Sequence, residues 1–162
     1  MNGAELLVRV ADLNVGGAGD TLLTVGLGSC VAIVLHDAQA CVAGMAHVLL
    51  PGPALSRRQE NPAKCPQTAV PALLERMAQR GARPRRVTAR ITGGASMFGG
   101  LTPPGTVHMG ERNVVASREA LRSAGLPLIG EDVGADYGRT VRVRVADGRM
   151  EISSVLHGIR IL

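Results

Sequence analysis

The sequence from Cys30 to Pro51, CVAIVLHDAQACVAGMAHVLLP, decides the expected fold. It contains two apolar runs, rich in valine and isoleucine, that are joined across the short segment 37–40. Apolar runs of this length on either side of a short turn are typical of a β-hairpin. The sequence therefore predicts an antiparallel hairpin in the first third of the chain.

Several other segments have the pattern of strands. Segments 5–15 and 21–25 read as two short strands separated by a Gly-rich turn. Segments 85–91 and 127–133 are further candidates. Near the C-terminus, TVRVRVA alternates valine with arginine and then turns at Asp147-Gly148 into RMEISSVL, which predicts a hairpin with a type I′ turn.

Two helices complete the expected secondary structure. Apolar residues follow helical spacing from Ala69 to Met77, up to a stop at Gly81, with a start near 68–70 or a kink at Pro71. A second amphipathic helix covers RNVVASREALRSAG and stops at Gly125. Strands outnumber helices, so the class is α+β, and the length predicts one domain over residues 1–162.

The composition excludes several classes of function. The net charge is +5, but the 17 arginines are spread along the chain and aromatic residues make up 1%, so no nucleic-acid surface is expected. No apolar run approaches the ~18 residues that span a bilayer, and the N-terminal segment does not resemble a signal peptide. We therefore expect no membrane insertion, a cytoplasmic location and cysteines that remain thiols.

Counting across the hairpin brings one cysteine and one histidine together. A four-residue loop at 37–40 pairs residue i with residue 77 − i, so Cys30 is expected opposite His47. Opposed residues on one face have Cβ atoms roughly 4.5–5.5 Å apart. A nearby imidazolium favours the thiolate, the form that attacks carbonyl carbon. The alternative is that Cys30 packs in the core and His47 is solvated.

The residues before Cys30 are candidates to bind an oxyanion. Gly26 and Gly28 permit backbone turns that other residues avoid, so a substrate amide could approach closely here. Peptide N–H groups along Gly28, Ser29 and Cys30 could then donate to the developing negative charge.

His47 also needs a partner for its second ring nitrogen. Asp37 is excluded because seven residues at about 3.3 Å each place it roughly 20 Å from Cys30. Thr24 is close enough to fold back, either through its hydroxyl or through its backbone carbonyl. If Thr24 is not the partner, Glu131 and Asp132 are the first acids to consider.

The remaining cysteines and histidines are expected to have ordinary roles. Cys41 and Cys65 read as structural residues, and His36 and His157 as surface residues. His108 follows a loop rich in proline and glycine, and a solvated position is expected although it could approach the site.

Four motifs, in this order and spacing, resemble the CheD family of chemoreceptor glutamine deamidases. They are TVGLGSCVAIVLHD, GMAHVLLP, ITGGASMF and GERN, and the resemblance runs from about Leu22 to Asp132. It implies a β-rich sandwich with two helices packed on the sheets, similar to catalytic domains of cytotoxic necrotizing factors. It also implies that Thr24, Cys30 and His47 form the catalytic set.

The resemblance further implies a substrate and a partner. The substrate would be glutamine side chains on the cytoplasmic domains of chemoreceptors, hydrolysed to glutamate and ammonia without metal or organic cofactor. A CheC-type phosphatase is the implied docking partner. The loops at 52–66 and 99–108, together with Gly93, Gly94 and Ser96, are candidates for contacting the substrate.

Two other functions are compatible with the sequence. One is a CheD-fold binding module that regulates a phosphatase and has little deamidase activity, although such a module has no need to keep Thr24, Cys30 and His47. The other is a thiol hydrolase of small amides or esters. The chain differs from the family pattern at Cys65, at Ala135 and in the length of the 99–108 loop.

Overall fold

The computed structural model describes residues 2–58 and 60–162. Its strands are β1 (Glu5–Leu7), β2 (Leu13–Gly16), β3 (Thr21–Leu27), β4 (Val31–Asp37), β5 (Val42–Val48), β6 (Thr88–Gly93), β7 (Leu128–Val133), β8 (Arg139–Arg144), β9 (Met150–Ser154) and β10 (Gly158–Ile161). Its helices are α1 (Pro66–Ala78) and α2 (Met109–Ser123), with short 3-10 helices at Pro53–Leu55, Pro62–Lys64, Pro84–Arg86 and Gly99–Leu101.

The strands form two five-stranded sheets. The first sheet has the order β1-β3-β8-β9-β10, and the second has the order β2-β5-β4-β6-β7. One apolar cluster fills the space between the sheets, and another lies between the second sheet and the two helices. The three layers confirm the predicted α+β sandwich, with both helices on the second sheet.

The central hairpin forms as β4 and β5, but its register differs from the expected one. Asp37 pairs with Val42 and Ala32 pairs with His47, so the numbers of paired residues sum to 79 rather than 77. The prediction that Cys30 lies directly opposite His47 is therefore wrong. Because the register differs by two residues, each side chain still points to the predicted face of the sheet.

The side chain of Asp37 accounts for the shift in register. Its Oδ1 accepts hydrogen bonds from the backbone N–H groups of Gln39 and Ala40, each at 3.1 Å. Its Oδ2 accepts from the Arg83 N–H and from Arg86 Nε, each at 2.9 Å. Burial alone would raise the pKa of Asp37, but these donors hold it below its ordinary value. Asp37 thus stays in the strand ladder and caps the turn that follows.

The two other cysteines have structural surroundings, as expected. Cys41 ends the hairpin loop 38–41 with a φ of 52°, and its Sγ lies 3.5 Å from the Ala38 carbonyl oxygen. Cys65 is buried just before α1, and its Sγ lies 3.3 Å from Thr68 Oγ1.

Both helices begin earlier than the sequence pattern indicated. Helix α1 starts at Pro66 and continues through Pro71, which lies on its exposed side. Proline cannot donate to the carbonyl of Gln67, but Gln67 is exposed and water can replace that donor. Helix α2 starts at Met109 and stops before Gly125, whose φ is 71°. Neither helix is long and apolar enough to span a membrane, and the described residues contain no other candidate.

The outer strands show three differences from the predictions. The N-terminal segment forms three strands instead of two, with β2 in the second sheet. The turn between β8 and β9 is not type I′, because φ is positive at Gly148 but not at Asp147. Strand β10 was not predicted, since all four of its residues are exposed and its alternation, Ile159-Arg160-Ile161, is only three residues long.

One histidine is buried where a surface position was expected. His36 is 6% exposed, and its Nε2 lies 2.9 Å from the carbonyl oxygen of Val145 on the first sheet. The partner is 109 residues away in sequence, so no local pattern could reveal it. His157 is exposed as predicted, and its ring stacks on Tyr137 with centroids 4.0 Å apart.

Replacing Asp37 with alanine should destabilise the fold by about 2–3 kcal/mol, because four donors would lose a fully buried acceptor. Urea unfolding would measure the change in the free energy of unfolding. Asp147→Ala is the matched control, since Asp147 caps the turn between β8 and β9 from an exposed position. We expect a much smaller loss for the control, and equal losses for the two variants would contradict the role assigned to Asp37.

Candidate functional site

Residues 26–30, the cysteine loop, carry the chain from the end of β3 in the first sheet to the start of β4 in the second. The pairing of β3 with β8 shifts register between Thr24 and Leu27, where Gly26 has a φ of 71°. Residues with a side chain rarely adopt this backbone conformation, which explains the glycine at the bend. The bend places Cys30 directly before β4, with 8% of its surface exposed.

Cys30 and His47 lie on the same face of the second sheet, directed toward the first sheet. Both belong to the inter-sheet side, since His47 is paired with Ala32 and Cys30 is two positions before Ala32. The two residues are therefore diagonal neighbours, for which Cα atoms are about 7–8 Å apart and side chains can still meet. His47 is fully buried.

Thr24 contacts the histidine through its hydroxyl. Thr24 Oγ1 lies 2.8 Å from His47 Nδ1 and 2.5 Å from the carbonyl oxygen of Val8. All the polar atoms of this contact are buried. Of the two options left open by the sequence, the hydroxyl makes the contact and the backbone carbonyl of Thr24 does not.

This contact determines which ring nitrogen of His47 carries the proton. The Thr24 hydroxyl has one hydrogen, which it donates to the Val8 carbonyl because that oxygen can only accept. The hydroxyl must then accept a hydrogen bond from Nδ1–H of His47. The neutral ring therefore has an unprotonated Nε2, and this buried atom has no hydrogen-bond partner among the described residues.

Burial controls the charge state of the pair. It lowers the pKa of His47 from 6.5 to about 4 and raises the pKa of the Cys30 thiol, although the backbone N–H of Cys30 opposes the latter shift. At neutral pH the resting pair is a thiol and a neutral imidazole. The expected imidazolium–thiolate pair can arise only as the proton moves from Sγ to Nε2.

The segment ITGGASMF lies behind the cysteine loop. The N–H of Gly94 donates to the Cys30 carbonyl at 2.8 Å, and the N–H of Ala95 donates to the Gly28 carbonyl at 2.9 Å. A Cβ on Gly93 would lie 2.3 Å from the Cys30 oxygen. Gly93 and Gly94 are buried, so they support the loop and cannot line a substrate surface as expected. Ser96 is half-buried and does line a recess.

Two recesses flank the cysteine loop, and Met97 lines both. One has a volume of about 330 Å³ and includes Ser29, Ser96 and His108. The other, of about 620 Å³, includes Gly26 and Arg139. His108 is half-buried, with Nε2 3.3 Å from Thr102 Oγ1, so it borders the site rather than facing open solvent.

The alternative acids for orienting His47 are engaged elsewhere. Glu131 forms a bidentate ion pair with Arg118, with a shortest distance of 2.7 Å. Asp132 pairs with the buried Arg139 at 3.3 Å. Among the described residues, the hydrogen-bond partner of His47 Nδ1 is thus the Thr24 hydroxyl.

Sequence reasoning missed one buried polar residue at the site. Asn113, in the second turn of α2, donates from its Nδ2 to the carbonyl oxygens of Ser29 at 2.9 Å and Leu49 at 3.2 Å. The signal was present in the motif GERN, whose asparagine is Asn113. Helical periodicity alone gives no reason to separate this asparagine from solvent-exposed polar residues.

A thiol, an imidazole with an unpaired nitrogen on the same face and a hydroxyl that fixes its tautomer are the kinds of group that thiol hydrolases use. By class, the chain is therefore a three-layer α+β sandwich protein with a candidate thiol–imidazole site. A sequence model described as CheD chemotactic sensory transduction matches residues 49–154. The relatives that follow are about 40% identical over nearly the whole chain, and the chain belongs to the CheD family.

Three relatives illustrate the similarity, and each carries the name "Probable chemoreceptor glutamine deamidase CheD". The protein from Caldanaerobacter subterraneus subsp. tengcongensis is 39% identical, and that from Clostridium novyi is 41% identical, each over 99% of both chains. The Clostridium botulinum protein is 40% identical over 93% of both.

Among solved structures, a Neisseria meningitidis protein of family DUF152 is similar with a TM-score of 0.42 and 12% identity. The alignment covers 84% of this chain and 63% of that one, and at this level it carries no argument about the site.

Lowering the pH from 7 to 5 should destabilise the protein through His47. The pKa of the ring is about 4 in the fold and 6.5 ordinarily, so between these values the unfolded chain binds a proton that the folded chain does not. The stability from neutral His47 is fully present above pH 6.5 and is lost as the pH falls toward 4. We expect the free energy of unfolding to fall by about 2 kcal/mol between pH 7 and 5, as measured by urea unfolding.

His47→Gln is the control for this pH dependence, because glutamine fills a similar volume and does not titrate. The other three histidines remain in both proteins, so their contributions cancel in the comparison. A pH-dependent loss of equal size in the two proteins would mean that His47 is not the group responsible.

Proposed function

We propose that the chain hydrolyses the side-chain amides of specific glutamines on chemoreceptors, with Cys30 as the nucleophile, His47 as acid and base, and Thr24 holding the ring of His47. The reaction releases ammonia and leaves glutamate. The names of the relatives support the substrate class, and the arrangement of Cys30, His47 and Thr24 supports the chemistry.

One observation carries the proposal. The Thr24 hydroxyl accepts from His47 Nδ1, which leaves Nε2 as a proton acceptor on the same face as Cys30. A histidine with a merely structural role would be expected to satisfy both ring nitrogens when buried. An unpaired Nε2 on the same face as a thiol is an arrangement that suits a general base.

The first half of the reaction forms a thioester. The Cys30 thiol transfers its proton to His47 Nε2 as Sγ attacks the carboxamide carbon, and the carbonyl oxygen becomes an oxyanion. Backbone N–H groups of Ser29 and Cys30 are positioned to donate to this oxygen. His47 Nε2–H then protonates the departing nitrogen, the C–N bond breaks, and ammonia leaves.

The second half regenerates the enzyme. Neutral His47 accepts a proton from water, and the resulting hydroxide attacks the thioester carbon. The C–S bond breaks, the proton returns from Nε2 to the leaving Cys30 sulfur, and glutamate is released. Because both halves begin and end with neutral groups, the buried site never holds an isolated charge at rest.

The surface around the site supports a protein as substrate. Met97, Phe98 and Leu101 expose apolar side chains beside the recesses, with Phe98 74% and Leu101 86% exposed. Apolar side chains grouped at the edge of an active site favour contact with another protein. We extend the proposal to the cytoplasmic domains of receptors, hence a cytoplasmic location, and to a CheC-type phosphatase as a second partner of this surface.

The proposed activity can be tested with a purified receptor cytoplasmic fragment and mass spectrometry. Wild-type protein should add about 1 Da at each modified glutamine as the amide becomes an acid, and Cys30→Ala should add none. Cys65→Ala is the matched control, because Cys65 is a buried thiol with no place in the reaction.

The same experiment separates the alternatives. A protein that only regulates a phosphatase would bind the fragment without a mass change. A hydrolase of small amides or esters would act on free glutamine derivatives and leave the receptor fragment intact. Either outcome, or activity that survives Cys30→Ala, would refute the proposal.

Thr24→Val should lower kcat for deamidation by about 10- to 100-fold with the fold intact, because His47 would lose the acceptor that fixes its tautomer. Thr92→Val is the control, since Thr92 is also fully buried and its hydroxyl donates to the Asp132 carbonyl at 2.7 Å. Steady-state kinetics and thermal unfolding of both variants would measure the two effects separately. Equal activity losses in Thr24→Val and Thr92→Val would show that Thr24 has no special role.

A further inference from the structure

We propose that Asn113 is a positioning residue that holds the peptide unit between Ser29 and Cys30, so that the Cys30 N–H faces the oxyanion of the substrate. The inference rests on the proposed function and adds to it a residue of α2 that does not touch the substrate. It assigns to Asn113 a role in the step that forms the tetrahedral intermediate.

The contacts of Asn113 join two parts of the site. Its side chain is fully buried, and Nδ2 donates to the Ser29 carbonyl oxygen at 2.9 Å and to the Leu49 carbonyl oxygen at 3.2 Å. Ser29 precedes Cys30, and Leu49 follows His47 by two residues. One carboxamide group therefore ties the cysteine loop to the end of the strand that carries the base.

The orientation of the carboxamide is determined by its neighbours. Both partners of Nδ2 are carbonyl oxygens, which can only accept, so the nitrogen and its two hydrogens must face them. Reversing the group would place Asn113 Oδ1 against two oxygens. Oδ1 instead has no partner among the described residues, an arrangement that leaves one acceptor unpaired but satisfies both carbonyls.

Fixing the Ser29 carbonyl also fixes the Cys30 N–H. The two groups belong to one trans peptide unit, in which C=O and N–H point in opposite directions. Because Asn113 holds the carbonyl from the side of α2, the N–H must point away from α2. In the described part of the chain this N–H donates to no carbonyl, and its proximity to the Cys30 sulfur opposes the rise in the pKa of the thiol.

The neighbouring peptide unit is held in the same way. The Ala95 N–H donates to the Gly28 carbonyl at 2.9 Å, which orients the Ser29 N–H away from the ITGGASMF segment. Two successive peptide units of the loop are thus each held by a donor to their carbonyl oxygen. Donors fixed before the reaction are what stabilises an oxyanion most effectively, because they need not reorient as charge develops.

Close packing of α2 lets Asn113 reach the loop. A Cβ on Gly110 would lie 2.5 Å from the carbonyl oxygens of both Gly94 and Ala95, and a Cβ on Gly94 would lie 2.3 Å from Val114 Cγ2. Glycine at these two positions therefore lets the first turn of the helix approach the backbone behind the cysteine loop. Gly110 and Asn113, both in the GERN motif, therefore contribute to the same contact between α2 and the cysteine loop.

The test compares two reactions of Cys30 in Asn113→Ala and Asn113→Asp. Deamidation of a receptor fragment passes through an oxyanion, whereas alkylation by iodoacetamide displaces iodide at a saturated carbon and needs only the thiolate. We expect kcat for deamidation to fall about 10- to 100-fold, with KM and the alkylation rate of Cys30 each changing less than about threefold.

Ser117→Ala is the matched control, because Ser117 is fully buried on the same helix and its hydroxyl donates to the Asn113 carbonyl at 2.7 Å, without touching the cysteine loop. It should keep wild-type kcat even where it loses a similar amount of thermal stability. Unchanged kcat in Asn113→Ala, or a parallel fall of deamidation and alkylation, would overturn the inference. Activity that survives Cys30→Ala would instead refute the proposed function.

A measurement on the wild-type protein covers the case in which both Asn113 variants fail to fold. A peptide aldehyde that carries an aldehyde in place of the glutamine carboxamide should add reversibly to Cys30 and mimic the tetrahedral state. The backbone amide resonance of Cys30 should then shift downfield in the NMR spectrum, as expected for a new hydrogen bond. An amide resonance of Cys30 that does not move on adduct formation would overturn the inference.

Discussion

The pairing of β4 with β5 is the constraint on which the candidate site depends. Both strands are buried along their whole length, with the first sheet on one side and the helices on the other. Side chains alternate between these sides, so the register decides which residues face which layer. Cys30 and His47 face the first sheet, and β3 of that sheet supplies Thr24.

Burial between two sheets also determines how the site can hold charge. In this environment the imidazole and the thiol are neutral at rest, because each charged form would lose its hydration. In the proposed mechanism, charge appears only when the substrate brings a carbonyl group to the cysteine loop, whose peptide units are already held in place. The hydrogen bonds from Ala95 and Asn113 matter for this reason, since a flexible loop would have to reorganise at the moment of reaction.

The sequence predicted the features of the site that follow from alternation and composition. The hairpin, the α+β class and the common face of Cys30 and His47 all depend on local apolar pattern. The exact register of the hairpin could not be predicted from this pattern. Asp37, which sets the register, also accepts hydrogen bonds from Arg83 and Arg86, more than 40 residues away. The burial of His36 and Asn113 was not predicted for the same reason, since their hydrogen-bond partners are distant in sequence.

The site draws on all three layers of the fold, which links its chemistry to the stability of each layer. Thr24 comes from the first sheet, His47 from the second, and Asn113 from the helices; Thr24 contacts His47, and Asn113 contacts the cysteine loop and the residue that follows β5. A loop of five residues with two glycines has little structure of its own to fix the orientation of its peptide units. Its conformation is therefore imposed from outside, by donors behind it and by the strands at its two ends. Such a loop stays ordered only while the layers remain packed, so any change that separates the helices from the second sheet should disorder the oxyanion donors before it disturbs the bond between Thr24 and His47.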